Sequence, residues 1–309
     1  MSGTQSRIDR IYQQSVLKPP YLSWSFARRF FVYQNERFPI LAFILACGIL
    51  VAALAKLDHH FDTTRLILAA TMAVLYFMQI RIADEPKDFE HDNVHHPKRP
   101  VQRGLVTLKE LSYVKTFCTV GFMAAACLTL SPWVIGIALL QQGYSFLTRK
   151  EFFIREWLRD HFLIYQYSHY AQLLLLAGLL VVTADIARSF LEGAIYGAYI
   201  IAMIAPIEAS RTIGGSDEAR ARDRFSHRLG VAWALTGYLV LSCVAVGATL
   251  WLIEQSGYIV HPFILIIGVA VVVVASVRYG RQPISKNADI LNVASLALYI
   301  ACATTILIG

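Results

Sequence analysis

Between residues 81 and 110 the chain reads RIADEPKDFEHDNVHHPKRPVQRGLVTLKE, and three of its carboxylates, Asp84, Asp88 and Asp92, recur every four residues. Glu85 lies three residues before Asp88. On a helix this spacing lines the carboxylates along one face. Like charges so placed destabilise a bare helix by about 0.2–0.5 kcal/mol per pair, so a cation is expected to offset them. Lys87 and the nearby His91, His95 and His96 could do so in part; a divalent metal would do it better. Oxygen ligands with no thiolate close by favour Mg²⁺, which takes one or two carboxylates together with substrate phosphates.

The segment continues as His95-His96-Pro97-Lys98-Arg99-Pro100, then Arg103 and Gly104. Pro97 and Pro100 are expected to stop the helix and stiffen the chain. Lys98, Arg99 and Arg103 then follow the carboxylates closely. Acidic metal ligands beside a basic cluster are what a metal-bridged diphosphate requires. The three histidines read either as metal ligands or as exposed residues that donate to phosphate.

A second segment, 208–230, reads EASRTIGGSDEARARDRFSHRLG. It sets Glu208, Asp217, Glu218 and Asp223 among Arg211, Arg220, Arg222, Arg224 and Arg228, and Gly214 and Gly215 permit a turn before them. Two such segments together read as a clamp on one polyanionic headgroup. Taken singly, each reads more readily as a solvated loop.

The elements that must position these residues are apolar. Of the 309 residues 56% are hydrophobic and only 16% charged, where a soluble domain carries about 25% charged residues. That excludes an ordinary soluble enzyme, a disordered chain and a collagen-like fibre. Nine apolar runs are long enough for membrane helices: 39–56, 64–83, 111–130, 132–148, 162–184, 188–207, 229–253, 261–278 and 290–308. The fourth is interrupted by Gln141, Gln142 and Tyr144, which are expected to face a bundle or cavity. The predicted fold is all-α: a polytopic bundle of nine transmembrane helices (39–309) behind a cytoplasmic N-terminal arm (1–38).

The net charge of +7 is sorted by position. Of the 28 Lys and Arg, 25 fall on the arm and alternate connections, while Lys56, Arg65 and Arg188 fall on the others. By the positive-inside rule the N-terminus and both acidic segments are cytoplasmic and the C-terminus lies opposite. The excess is therefore no nucleic-acid patch. Of the 21 Asp and Glu, 16 lie on that same basic face and hardly any mid-span, which disfavours a transporter with an acidic cation pathway. No secretory signal peptide is read in the first 38 residues. The cysteines at 47, 118, 127, 243 and 302 read as small buried residues of apolar helices, without metal spacing.

On these residues the chain resembles the UbiA superfamily of intramembrane prenyltransferases, which have nine spans and acidic motifs after the second and sixth. Their first motif is commonly Asn-Asp-x-x-Asp-x-x-x-Asp, followed by a His-Pro, Arg-Pro stretch and a glycine. Asp84 stands for the asparagine and Glu85 for the first aspartate; Asp88, Asp92, the stretch from His96 to Pro100, and Gly104 follow in place. The second motif, usually Asp-x-x-x-Asp, departs here, since Ala221 follows four residues after Asp217. Tyr144 and the pair Arg149-Lys150 are reminiscent of the family's Tyr-x-x-x-Lys element.

The resemblance implies Mg²⁺-dependent ionisation of an allylic prenyl diphosphate within a bilayer-facing cavity, then transfer to an aromatic or lipid-soluble acceptor. A terpene cyclase with the same diphosphate site is the alternative. Metal ligands would be Asp84, Glu85, Asp88 and Asp92, with Glu208, Asp217 and Glu218 from the second segment. Lys98, Arg99, Arg103, Arg149 and Arg211 would bind the diphosphate. Aromatic residues at span ends, among them Tyr76, Phe77, Tyr144, Phe146, Tyr165 and Tyr167, could face a carbocation. His169, several residues into the fifth span, is a candidate general base or a bundle histidine, with His161 flanking the same entry.

Overall fold

A computed structural model describes residues 2–38, 40–57, 62–187, 189–215, 224–258 and 262–309, with the side chains at 2–7, 42–43, 159, 162–163 and 169 outside the description. Asp217, Glu218 and Asp223 therefore lie outside the described residues, and so does the side chain of His169. Among the described residues the chain is helical, without a strand. The first half comprises α1 (Ser2–Gln14), α2 (Phe26–Arg37), α3 (Ile40–Leu57), α4 (Thr63–His95), α5 (Leu108–Leu128), α6 (Pro132–Arg149) and α7 (Arg155–Asp160). The second comprises α8 (Phe162–Ala184), α9 (Phe190–Ile213), α10 (Phe225–Arg228), α11 (Val231–Gln255), α12 (Pro262–Arg281) and α13 (Ser285–Ile308).

Helices thus occupy the positions of the nine apolar runs. Seven of them, α4, α5, α8, α9, α11, α12 and α13, are long and apolar enough to cross a membrane, as in a polytopic integral membrane protein. The expected nine is not reached on that measure. α3 itself runs 18 residues from Ile40 to Leu57, of which that measure takes in Ile44 to Leu57, since the side chains at 42–43 lie outside the description. In α6 the polar side chains face inward: Gln141 is fully buried, and Gln142 pairs its amide with Gln79 of α4 at 2.7 and 3.2 Å. A reciprocal amide pair satisfies groups that hydrocarbon would leave bare.

The chain divides into two compact units, one of residues 1–47 and 67–157, the other of residues 48–66 and 158–309. In the first, the N-terminal arm is folded onto α4 and α5. Ile11, Tyr33 and Phe38 of the arm share a core with Ile82 and Phe89 of α4, Val101 and Leu105 of the following turn, and Leu108 and Leu111 of α5. The start of α5 is sealed by a capping box, in which Thr107 Oγ1 accepts from the Glu110 amide while Glu110 accepts from the Thr107 amide. Arg29 of α2 grips that same Glu110 through two bonds of 3.0 and 2.7 Å.

In the second unit α13 packs against α12, α9 and α11. Small residues let the backbones approach, as helix pairs in lipid require. A Cβ on Gly268 of α12 would meet the Ala301 Cβ of α13 at 2.7 Å. Two cysteines depart from the expected burial: Cys118 and Cys302 are buried, but Cys127 and Cys243 are exposed. Gly268→Ala should force α12 and α13 apart, costing about 1–3 kcal/mol. A thermal melt of the detergent-solubilised protein checks this, and an unchanged melting temperature would contradict the packing.

Candidate functional site

The helix that carries the acidic segment does not end with its apolar run. α4 continues through Pro86 to His95, so Asp84–Asp92 is helical, as the four-residue spacing requires, and the helix stops before Pro97 as expected. Pro86 removes one backbone donor, yet the helix runs on across it. The spacing then works as expected. Glu85 and Asp92, seven residues and about two turns apart, lie on one face and are both buried. Asp84 and Asp88 are half-buried.

Glu85 is held from three sides. Its Oε1 accepts from Arg37 Nε at 2.9 Å, Arg81 Nη2 at 3.1 Å and the Tyr33 hydroxyl at 3.4 Å. Burial, and then the Glu85 charge, push the Tyr33 phenol well above its usual range, so it remains a neutral donor. Glu85 Oε2 is buried with no hydrogen-bond partner. A buried carboxylate oxygen left without a donor is costly. A lone buried carboxylate oxygen of this kind is a ligand type that a hard divalent cation takes. Asp84 lies 3.9 Å from Arg81.

The chain then turns back, as the prolines predict. The His96 amide makes the last helical bond to the Asp92 carbonyl at 2.8 Å, and the Arg99 amide bonds the His96 carbonyl at 3.0 Å. This turn brings the Arg99 guanidinium onto Asp92 Oδ2 in an ion pair. Arg103 donates to the Lys98 carbonyl at 2.9 Å and forms a two-bonded pair with Glu36 of α2 at 2.7 and 2.8 Å. Lys98 is exposed beside them. Gly104 has φ of +76°, and a Cβ there would meet Lys18 of the arm at 2.6 Å, so glycine is required on both counts.

Arg149 is placed differently. Its Nε donates to the Ser145 carbonyl at 3.2 Å, and it lines a cavity of about 50 Å³ with Tyr12, Pro86 and Lys115. That volume suits a water or two. Sequence reasoning missed Glu151, two residues further on. It is buried, lies 3.3 Å from Lys87 of α4 and 2.9 Å from Arg155, and opens three successive residues at positive φ, Glu151, Phe152 and Phe153. Left-handed conformation costs a non-glycine residue about 1–2 kcal/mol; the pairs made by Glu151 hold it. Arg37, Tyr33 and Glu36 were also missed, because in the sequence the arm's charges signal orientation alone.

In the second unit Glu208 and Arg211 pair with each other at 2.8 Å near the end of α9. Gly214 follows at φ +66°, where its carbonyl accepts from the Tyr279 hydroxyl at 2.8 Å. Arg224 Nη1 donates to the Arg211 carbonyl at 2.8 Å, which ties residue 224 to the end of α9. Among the aromatics, Tyr76 is buried and bonded to Ser145 at 2.6 Å, whereas Phe146 and Tyr167 are exposed. His161 is exposed at the start of α8.

No family model matches the sequence, and neither does any curated protein. Solved structures do match. The apo structure of a UbiA homolog from Aeropyrum pernix K1 superposes with a TM-score of 0.64 at 18% identity, covering 87% of this chain and 98% of that one. A structure of digeranylgeranylglyceryl phosphate synthase, described in membranes, superposes with a TM-score of 0.56 at 14% identity, covering 91% of this chain and 100% of that one. The likeness to the UbiA superfamily therefore holds at the level of the fold.

Arg37→Ala should leave Glu85 with fewer donors and lower stability by about 2 kcal/mol. Adding Glu85→Gln should return part of that loss, as a double-mutant cycle by thermal melts would measure. Strict additivity of the two substitutions would contradict the pairing.

Proposed function

We propose that this chain is an intramembrane prenyltransferase that ionises an allylic prenyl diphosphate and passes the prenyl group to a small aromatic or lipid-soluble acceptor. The observation that carries the reading is the α4 face, where Glu85, Asp88 and Asp92 stand next to a proline-bounded cluster of Lys98, Arg99 and Arg103. It occurs in a chain with the fold of a UbiA homolog.

Glu85, Asp88 and Asp92, with Asp84 at the edge, would hold Mg²⁺, which supplies positive charge to the diphosphate oxygens. Lys98, Arg99 and Arg103 take the remaining charge as the C–O bond breaks and its electron pair leaves with diphosphate. Arg99 and Arg103 already pair with Asp92 and Glu36, so binding exchanges one anion for another at each guanidinium. Arg37 and Arg81 act as positioning residues through Glu85. The allylic cation is then attacked by the acceptor, whose proton passes to a base; His169 is assigned that task on its place in the fifth span.

Glu208, Asp217, Glu218 and Arg211 enter as the second acidic motif of the resemblance, and Arg149 as a further diphosphate ligand on the same ground. The sorting of basic residues supports a cytoplasmic N-terminus and cytoplasmic acidic motifs, with the C-terminus opposite.

Labelled prenyl diphosphates of several lengths, incubated with the purified protein and phenolic acceptors, should release diphosphate only when Mg²⁺ is present. Asp88→Ala and Asp92→Ala should lower turnover by about 100-fold or more. Release undiminished in both variants would overturn the metal assignment, and no turnover of any diphosphate would overturn the enzyme reading. A cyclised hydrocarbon formed without acceptor would replace transfer by cyclisation.

A further inference from the structure

The end of α4 brings two histidines that the diphosphate reading does not use, His91 and His96, up to Asp92, which it does. One donor atom each from His91, Asp92 and His96 can be chosen so that all lie within 4.8 Å of one another. His91 Nδ1 is 3.4 Å from Asp92 Oδ1, while Arg99 holds the other oxygen, Oδ2. His91 lies in the last turns of α4 and His96 just beyond its end, their ring centroids 5.8 Å apart. They meet because Pro97 ends α4 and the Asp92 carbonyl takes the His96 amide. Asp92 is buried and both histidines are half-buried, so the set sits at the rim of the site and not in open solvent.

Two imidazole nitrogens and one carboxylate oxygen are a poor set for Mg²⁺, which demands oxygen ligands in octahedral array. They are a good set for zinc, which takes three such protein ligands and leaves a fourth position to water or substrate. Arg99 supports the set as a second layer, orienting the carboxylate so that Oδ1 faces His91.

We propose that His91, Asp92 and His96 form a zinc site distinct in chemistry from the all-oxygen face of α4. Zinc there occupies Asp92 and withdraws it from the acidic row, so that zinc opposes Mg²⁺-dependent turnover. Binding itself does not depend on the prenyl-transfer reading; only the inhibitory role does.

The full-length protein in detergent, stripped of metal, is titrated with Zn²⁺ against a chromogenic chelator. One zinc per chain is expected. His91→Ala and His96→Ala should each weaken binding by about tenfold or more, and His161→Ala, at an exposed histidine elsewhere, should not. Circular dichroism confirms that the variants keep their helix content. Wild-type protein that takes no zinc, or variants that bind it as tightly, would overturn the site. If the enzyme turns over, zinc should inhibit it and His96→Ala should relieve the inhibition; inhibition unrelieved by that change would overturn the role while leaving the site. Zinc bound by a chain that turns over no diphosphate would separate this proposal from the function proposed above.

Discussion

A carboxylate taken out of water needs cations or donors at its oxygens, and the first unit is arranged around that need at Glu85. Ionised carboxylates are costly to bury without partners. Three donors converge on Oε1, two of them from α2 and one from α4 itself. The arm therefore cannot be a loose leader; its position is set by Tyr33 and Arg37. The same helix α2 supplies Glu36 to Arg103 and Arg29 to Glu110, so three ion pairs tie it to the chain from α4 to α5. Apolar packing of Ile11, Tyr33 and Phe38 fills the space between them.

With the arm in place, α4 can run 33 residues, well beyond its apolar run, without losing its register. That continuity gives the acidic spacing its meaning. A four-residue repeat orders carboxylates on one face only where the backbone stays helical. The prolines then act as a boundary. They stop α4 within reach of its own last carboxylate, and the turn from His96 to Gly104 returns Arg99 to Asp92 and Arg103 to Glu36. Acid and base end up adjacent because the helix ends sharply, with no long loop between them.

Much of this was legible in the sequence. Asp84, Glu85, Asp88 and Asp92 stand out by period, the Pro97–Pro100 stop by proline chemistry, and the apolar runs by length. The inward-facing Gln141 and Gln142 followed from the cost of polar groups in lipid. That the helix runs on past the apolar run was legible in the acidic spacing but not in hydropathy, for a physical reason. Hydropathy marks where apolar side chains end, not where backbone hydrogen bonding ends, and α4 crosses that point unbroken. Of the nine runs, seven are helices that meet the length and apolarity of a span among the described residues; α6, with its polar interruptions, turns Gln141 and Gln142 inward.

What the sequence determined by itself is local: which residues can be helical, where prolines and glycines must interrupt them, and which carboxylates share a face. Only the tertiary structure decided who compensates those charges. Arg37, Tyr33 and Glu36 lie more than forty residues from their partners, and Glu151 meets Lys87 through a left-handed turn that no propensity favours. Such pairings depend on the folded path of the chain. Coulomb attraction chooses among charges by distance in space, and sequence order does not specify that distance.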